Sequence, residues 1–409
     1  MKSFYADNNL DLQKMVLFTS DGASVMLGKN NGVAARLRHE IKHLSEQHCV
    51  AHKEDFAIDD AWKQVSIMHD IETLLRTVYT MFHRSSVRKE QFQEIADITD
   101  CDALAFRPLN EVRWLSRHFA VKALIRNYDA LIEYCTEKVE HFNDPINKYC
   151  LNPQYRVAIA ILNEVLGDLA ALTNLFQRSG LTSLEALQFA KATINKLKSQ
   201  YLSNVVYWSD NIKKVLALLN TDVDTTAIIR FIELLCKHLE SRFPEEEFIE
   251  WHAFDPGAIA NTTNFEFGKE SVLKLVRKYS TFLPDFEYSV EETICQQYIT
   301  LKFIVAEKYK SGSIQTFTDL VNFVLRDDQF KELTFLLDIS STFLASSSDC
   351  ERGFSLMNAI KTKSRNRIEV NHLECLMRIK SHILSQKVID LDNVYQYWAS
   401  EKDRREKLL

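Results

Sequence analysis

Several groups of residues in this chain have types and spacings that could do chemistry. Asp21 ends the apolar run Met15-Val16-Leu17-Phe18 and opens "DGASVMLGKNNGV", which holds three of the chain's nine glycines, Gly22, Gly28 and Gly32. A carboxylate at the tip of a strand is how metal-dependent nucleases mount a divalent-ion ligand, because the strand fixes its position. Taken alone, the same residue is more often a turn or N-cap aspartate than a catalyst. The glycines do not make a phosphate loop: Gly22 and the Gly28-Lys29 pair stand one residue too far apart. Asn30 also replaces the Ser or Thr that would hold magnesium. "HLSEQHCVAH" sets His43, His48, Cys49 and His52 within ten residues. Zinc accepts such ligands, but a structural site needs a second separated pair, so a buried cysteine and hydrogen-bonded histidines are the plainer reading. "NEVRWLSRH" puts Arg113 beside Trp114, with Arg117 and His118 one turn on. That is either a core Trp with solvated arginines or an aromatic face for an unstacked base with cations for phosphates. Lys361, Lys363, Arg365 and Arg367 in "IKTKSRNRI" read as a solvated loop, a phosphate contact or a nuclear-entry signal. Glu351 beside Arg352 reads, taken alone, as a surface ion pair.

The elements that position these residues are mostly helices. Lys14–Ser20 is a short apolar strand, and "GVAARLRHEIKHL" follows it with Val33, Leu37, Ile41 and Leu44 at helical spacing. Residues 62–135 are helical apart from a break near Pro108 and Asn110. Val157, Ile161, Val165, Leu169, Leu172 and Phe176 line one helix face; Gly180 is placed to end it, and Thr182 with Glu185 makes a capping box for the next helix. A looser, proline-bearing stretch at 243–268 separates these helices from a later block. In that block Phe354, Met357 and Ile360, then Leu373, Leu376, Ile379 and Ile383, recur at helical spacing.

Composition agrees with that reading. Nine glycines and six prolines in 409 residues leave few turn or helix-breaking positions, so helix dominates and β structure is confined to short stretches. No uninterrupted apolar run reaches the roughly 18 residues of a spanning helix, and "MKSFYADNNLDLQ" has no signal-peptide core, which predicts an intracellular chain. Eight scattered cysteines without a C-x-x-C pair predict reduced thiols. A net charge of −6 argues against wholesale nucleic-acid binding and permits a local basic face.

The order of the motifs says more than any one of them. "TSDGASVMLGKNNGVAARL", "EQHCVAH", "NEVRWLS", a long helical insert and "SSSDCERGFSLMNAIKTKSRNRI" resemble the hAT family of DNA transposases, specifically their vertebrate host-adopted derivatives. The match covers about residues 14–125 and 330–385, and its C-terminal block is the most specific part. The resemblance implies a ribonuclease-H-like core interrupted by a large all-α insertion domain, a mixed α/β and predominantly helical chain. The implied segments are 1–129 for the first part of the core, 130–325 for the helical insertion, and 326–409 for the rest of the core with the family's dimerisation region. It places Asp21 and Glu351 at two of the family's catalytic acids, Cys49 and His52 at its C-x-x-H motif, and Arg113 and Trp114 at its R-W motif. The implied dimerisation residues are Phe354, Met357, Leu373, Leu376, Ile379 and Ile383.

One departure from the family pattern shapes the expectation. The family's third carboxylate lies on a strand well upstream, yet only thirteen residues precede Lys14, and "YADNNLDLQ" is a polar, turn-like stretch. The first core strands are therefore expected to be missing, leaving the Lys14–Ser20 strand without its usual neighbour. No BED-type zinc finger is expected either. The expected protein is a catalytically incomplete, transposase-derived homodimer, nuclear or otherwise cytoplasmic, with weak DNA binding as its other property. It would need no cofactor, no metal, no membrane and no small-molecule substrate. The alternatives are an active transposase or nuclease using magnesium or manganese, and a nuclear DNA-binding regulator.

Overall fold

The structure, a computed structural model, describes residues 2–98, 101, 103–109, 115–138, 146–219, 222–244, 248–283, 288–384 and 390–400. Among these the chain is mixed α/β and predominantly helical, with one two-stranded sheet. It divides into two compact units, Met1–Ser346 and Ser347–Leu409.

In the first unit, β1 (Leu17–Ser20) and β2 (Ser45–His48) run parallel, with Leu17 opposite Ser45 and Ser20 opposite His48. Parallel strands need a crossover, and the Val33–Glu40 helix supplies it. Its Ala34 and Leu37 join Phe18, Ile41 and Leu44 in a small apolar cluster. Three expectations are corrected here. The strand starts at Leu17 rather than Lys14, because Leu12–Lys14 forms a 3-10 turn whose Asp11 side chain accepts from the Gln13 amide. On one side it pairs with β2, which follows it in the chain; among the described residues no strand pairs with its other edge. The helix that follows the glycines ends at Glu40, and Ile41 and Leu44 reach the cluster from beyond its end. The polar stretch that begins at Tyr5 starts inside a helix, Lys2–Asp7.

The larger hydrophobic core draws on helices from Val50 to Phe243. At its centre lies the Pro153–Phe176 helix, N-capped by Asn152 with Pro153 in its first turn; Val157, Ile161, Val165, Leu169, Leu172 and Phe176 are all buried, as their spacing predicts. By length and composition this helix could span a membrane, although Arg156, Asn163, Glu164 and Asp168 interrupt its apolar run; 61% of its most apolar window is buried inside the protein, as in a core helix. Gly180, in the left-handed region at φ +77, follows the helix end, and Thr182 with Glu185 forms the expected capping box of the Ser183–Tyr201 helix. The Val50–Lys63 and Thr226–Arg242 helices pack together, Trp62 meeting Phe231 edge-on at 5.9 Å. Residues on both sides of the expected 129/130 boundary share this core.

The proline-bearing stretch marks a real change of core. Phe243 belongs to the larger cluster and Trp251 to a second one that gathers Trp251–Phe343. Between them Asp255 caps the Pro256–Asn261 helix, its Oδ1 accepting from the Gly257 and Ala258 amides at 2.8 and 3.0 Å. The second unit contains three helices among its described residues, Ser348–Ile360, Val370–Leu384 and Leu391–Ser400, the first two packed together.

Candidate functional site

The carboxyl ends of β1 and β2 gather most of the motif residues of the first unit. Asp21 follows the last residue of β1, and its Oδ1 accepts from the Ala23 amide at 3.1 Å, closing an Asx turn. Gly22 sits at φ +83, where an L side chain is strained, and a Cβ there would fall 2.5 Å from Cε1 of His48. The glycine therefore serves the turn and makes room for the imidazole at the end of β2. Gly28 and Gly32 approach each other through backbone, the Gly32 amide donating to the Gly28 carbonyl at 3.0 Å.

His48 lies over Phe56, ring centroids 5.8 Å apart, and its Nε2 is buried with no hydrogen-bond partner. Burial, reinforced by the nearby Lys53 charge, lowers its pKa to about 4, so the ring is neutral at physiological pH. Cys49 is fully buried. Its amide donates to the Ser20 carbonyl at 2.7 Å, and its Sγ lies 3.6 Å from Ser346 Oγ. His52 follows one turn along the Val50–Lys63 helix and is half-buried. The C-x-x-H pair thus fixes the junction of β2, the helix and the returning segment that ends at Ser346. That segment is tied down further by hydrogen bonds from Val50 N to the Ala345 carbonyl at 3.1 Å and from Thr19 Oγ1 to the Leu344 carbonyl at 3.1 Å.

Two-metal chemistry needs bridging and flanking carboxylates about 3.5–4 Å across. The Asp21 carboxylate is engaged in its own turn, and among the described residues no group of three or more His, Cys, Asp and Glu side chains could hold a metal ion. His43, expected with the zinc candidates, instead packs edge-on against Phe282 at 4.9 Å.

The R-W motif, Arg113 and Trp114, lies outside the described residues. Arg117 does not serve as a free cation: it donates to Asp59 Oδ1 at 3.1 Å and stacks on Trp62 at 4.9 Å. In the second unit, Glu351 lies in the first turn of the Ser348–Ile360 helix. Lys361, Lys363, Arg365 and Arg367 are all exposed in the connection to the next helix, which includes the 3-10 turn Lys363–Arg365. Of the apolar residues, Leu373 is buried, Met357 and Leu376 are half-buried, and Phe354, Ile379 and Ile383 are 60%, 51% and 57% exposed.

Sequence reasoning missed one buried group, Glu54. It is fully buried, with Oε2 2.9 Å from Thr173 Oγ1 and Oε1 unpartnered. The Thr173 hydroxyl also lies 3.1 Å from the Leu169 carbonyl, and it has one proton for two acceptors. The arrangement closes only if the Glu54 carboxyl is protonated, and burial raises its pKa well above the ordinary value. The signal was present: Glu54 is spaced four residues from Val50 and from Ile58 on the buried face of its helix. Compared with models of known protein families, the chain matches none.

Proposed function

We propose that this chain derives from an hAT-family transposase, does not itself cut or join DNA, and works by self-association, in the nucleus. The observation that carries the reading is the exposed apolar surface of the second unit. Phe354, Ile379 and Ile383 expose half or more of their surface, and so do Leu391, Val394 and Tyr397 of the Leu391–Ser400 helix. Hiding the exposed half of six such side chains contributes roughly 1 kcal/mol each, or about 12 kcal/mol over two copies. That is comparable with an association cost of about 4–15 kcal/mol. A second copy, presenting the same face, is the partner that covers it.

The parallel strand–helix–strand unit with Asp21 at the end of its first strand supports a ribonuclease-H-like ancestry, and the use of Asp21 as a turn residue supports the absence of DNA cleavage. The exposed Lys361, Lys363, Arg365 and Arg367 favour weak DNA contact as a secondary property and a nuclear-entry signal. The test is an Ile379→Asp/Ile383→Asp variant examined by light scattering. The expected result is a wild-type dimer and a variant monomer with unchanged circular dichroism. A variant that still dimerises like the wild type would place the contact elsewhere.

A further inference from the structure

A cavity of about 330 Å³ in the first unit is lined by Ser45, Glu46, Phe248, Trp251, Leu275 and Lys278, among others. Ser45 opens β2, and its hydroxyl stands at the meeting point of two polar groups from a single helix end. Lys278 Nζ donates to Ser45 Oγ at 2.7 Å, and the Tyr279 hydroxyl lies 3.3 Å from the same oxygen. Neither the strand pairing nor the helix needs this cluster, because the Ser45 amide already bonds the Val16 carbonyl and the helix ends at Lys278 with Tyr279 as its cap.

We propose that Ser45 and Lys278 are a nucleophile and general base that cleave small carboxylic esters through an acyl-serine. A serine hydroxyl is a weak nucleophile until an adjacent base takes its proton, and lysine serves when its surroundings disfavour the ammonium form. Lys278 is exposed as a residue, but its ammonium nitrogen is held against Ser45 and lies 5.3 Å from the Tyr279 ring centroid, and desolvation there lowers its pKa below the usual lysine range. Glu250 opposes that shift. The other charged groups around the cavity are compensated: Glu46 pairs with Arg38 at 3.0 Å and Lys274 with Glu270 at 2.9 Å. His43 is itself held below its ordinary pKa, chiefly by burial and in part by the Lys278 charge, and adds no fixed cation. Tyr279 is fully buried between aromatic rings, and burial pushes its pKa up to about 12, so its hydroxyl stays neutral beside the serine oxygen as a positioning group.

The walls suit a small ester. Trp251, Leu275 and Phe248 are apolar, and Phe248 is held at φ 61, a left-handed conformation costly for an aromatic residue and found where a site is over-determined by its surroundings. The volume lies at the lower end for small-molecule sites. In the first step Ser45 Oγ bonds the ester carbonyl carbon and its proton passes to the neutral Lys278 amine. The carbon–alkoxy bond then breaks, and the alcohol leaves with that proton. Water repeats the sequence on the acyl-serine and releases the carboxylic acid, so the net change is ester plus water to acid plus alcohol.

The experiment uses the full chain with a fluorophosphonate probe and 4-nitrophenyl acetate. Modified peptides are mapped by mass spectrometry, and the labelling rate is followed against pH. The expected adduct is on Ser45, formed at a rate that rises with pH about a midpoint below the ordinary lysine value near 10.4. In Lys278→Arg, which keeps the charge and a donor to Ser45 but cannot act as base, labelling falls at least about 100-fold. A merely structural lysine would survive that change. Folded wild type without an adduct on Ser45, or a Lys278→Arg variant labelled at the wild-type rate, overturns the proposal whether or not Ser45→Ala folds.

Discussion

Replacing Gly22 with alanine tests whether the turn after β1 and the imidazole at the end of β2 are fitted to one another. The substitution carries two penalties that can be separated. At φ +83 the backbone conformation costs an L residue roughly 1–2 kcal/mol. The new Cβ would also stand 2.5 Å from His48 Cε1 and 2.8 Å from Cδ2, far inside contact distance. The ring cannot yield freely, because it is half-buried and packs on Phe56 at 5.8 Å. Displacing it loses part of that packing and strains its surroundings, a further ~1.5 kcal/mol. Gly22→Ala should therefore cost about 3 kcal/mol in the wild type. In a His48→Ala background only the backbone term remains, about 1.5 kcal/mol. The assay is urea unfolding of the four proteins followed by fluorescence of the buried Trp62 and Trp251. Distant sites add within about 0.5 kcal/mol. If Gly22→Ala costs the same in both backgrounds within that margin, the fit between turn and ring is refuted.

Further outcomes are expected from the buried carboxyl and imidazole, the basic turn and the acidic positions. Glu54 has a folded pKa raised by burial, so its contribution to stability is full below the ordinary carboxylate range and is lost as pH rises toward the folded value. Glu54→Gln, whose amide can donate to Thr173 as the protonated acid does, should gain on the wild type by up to about 1.4 kcal/mol per pH unit in that window; parallel curves would rule out a protonated Glu54. His48 acts in the opposite direction. With a folded pKa of about 4 against an ordinary 6.5, its contribution is present above 6.5 and is lost as pH falls toward 4. His48→Gln should flatten that acid limb by roughly 2 kcal/mol after allowance for the ring's partial exposure, as read by urea midpoints across pH 4–7. DNA affinity, measured by fluorescence anisotropy, should fall with salt with a log–log slope no steeper than about −4, the limit for four phosphate contacts, and vanish in Lys363→Glu/Arg365→Glu. In manganese the chain should leave transposon-end DNA uncut; cutting that disappears in both Asp21→Ala and Glu351→Ala would restore the transposase reading.

What could be read in the sequence was set by how local the causes are. The Pro153–Phe176 helix was legible because six apolar residues repeat at one period inside one element. The Thr182–Glu185 box was legible because both partners lie within one turn. By contrast β2, with the sequence SEQH, has no apolar residue at all. Its buried Gln47 is satisfied by the Ser183 hydroxyl at 2.5 Å, a partner 136 residues away. The helix after Gly32 was read too long because the apolar residues of the turn that follows it, Ile41 and Leu44, fall in step with those of the helix. Asp21 could be identified as a strand-end carboxylate, but not its engagement with Ala23, which depends on the turn geometry that Gly22 allows. The Ser45–Lys278–Tyr279 cluster was invisible for a simpler reason: 233 residues separate the serine from the lysine.

Self-association is tested most directly by sedimentation equilibrium of the wild-type chain from about 0.5 to 50 μM. The exposed faces of the Ser348–Ile360, Val370–Leu384 and Leu391–Ser400 helices predict a mass that rises to twice the 47.5 kDa of one chain and goes no higher. A mass that stays at 47.5 kDa across the whole range would contradict it.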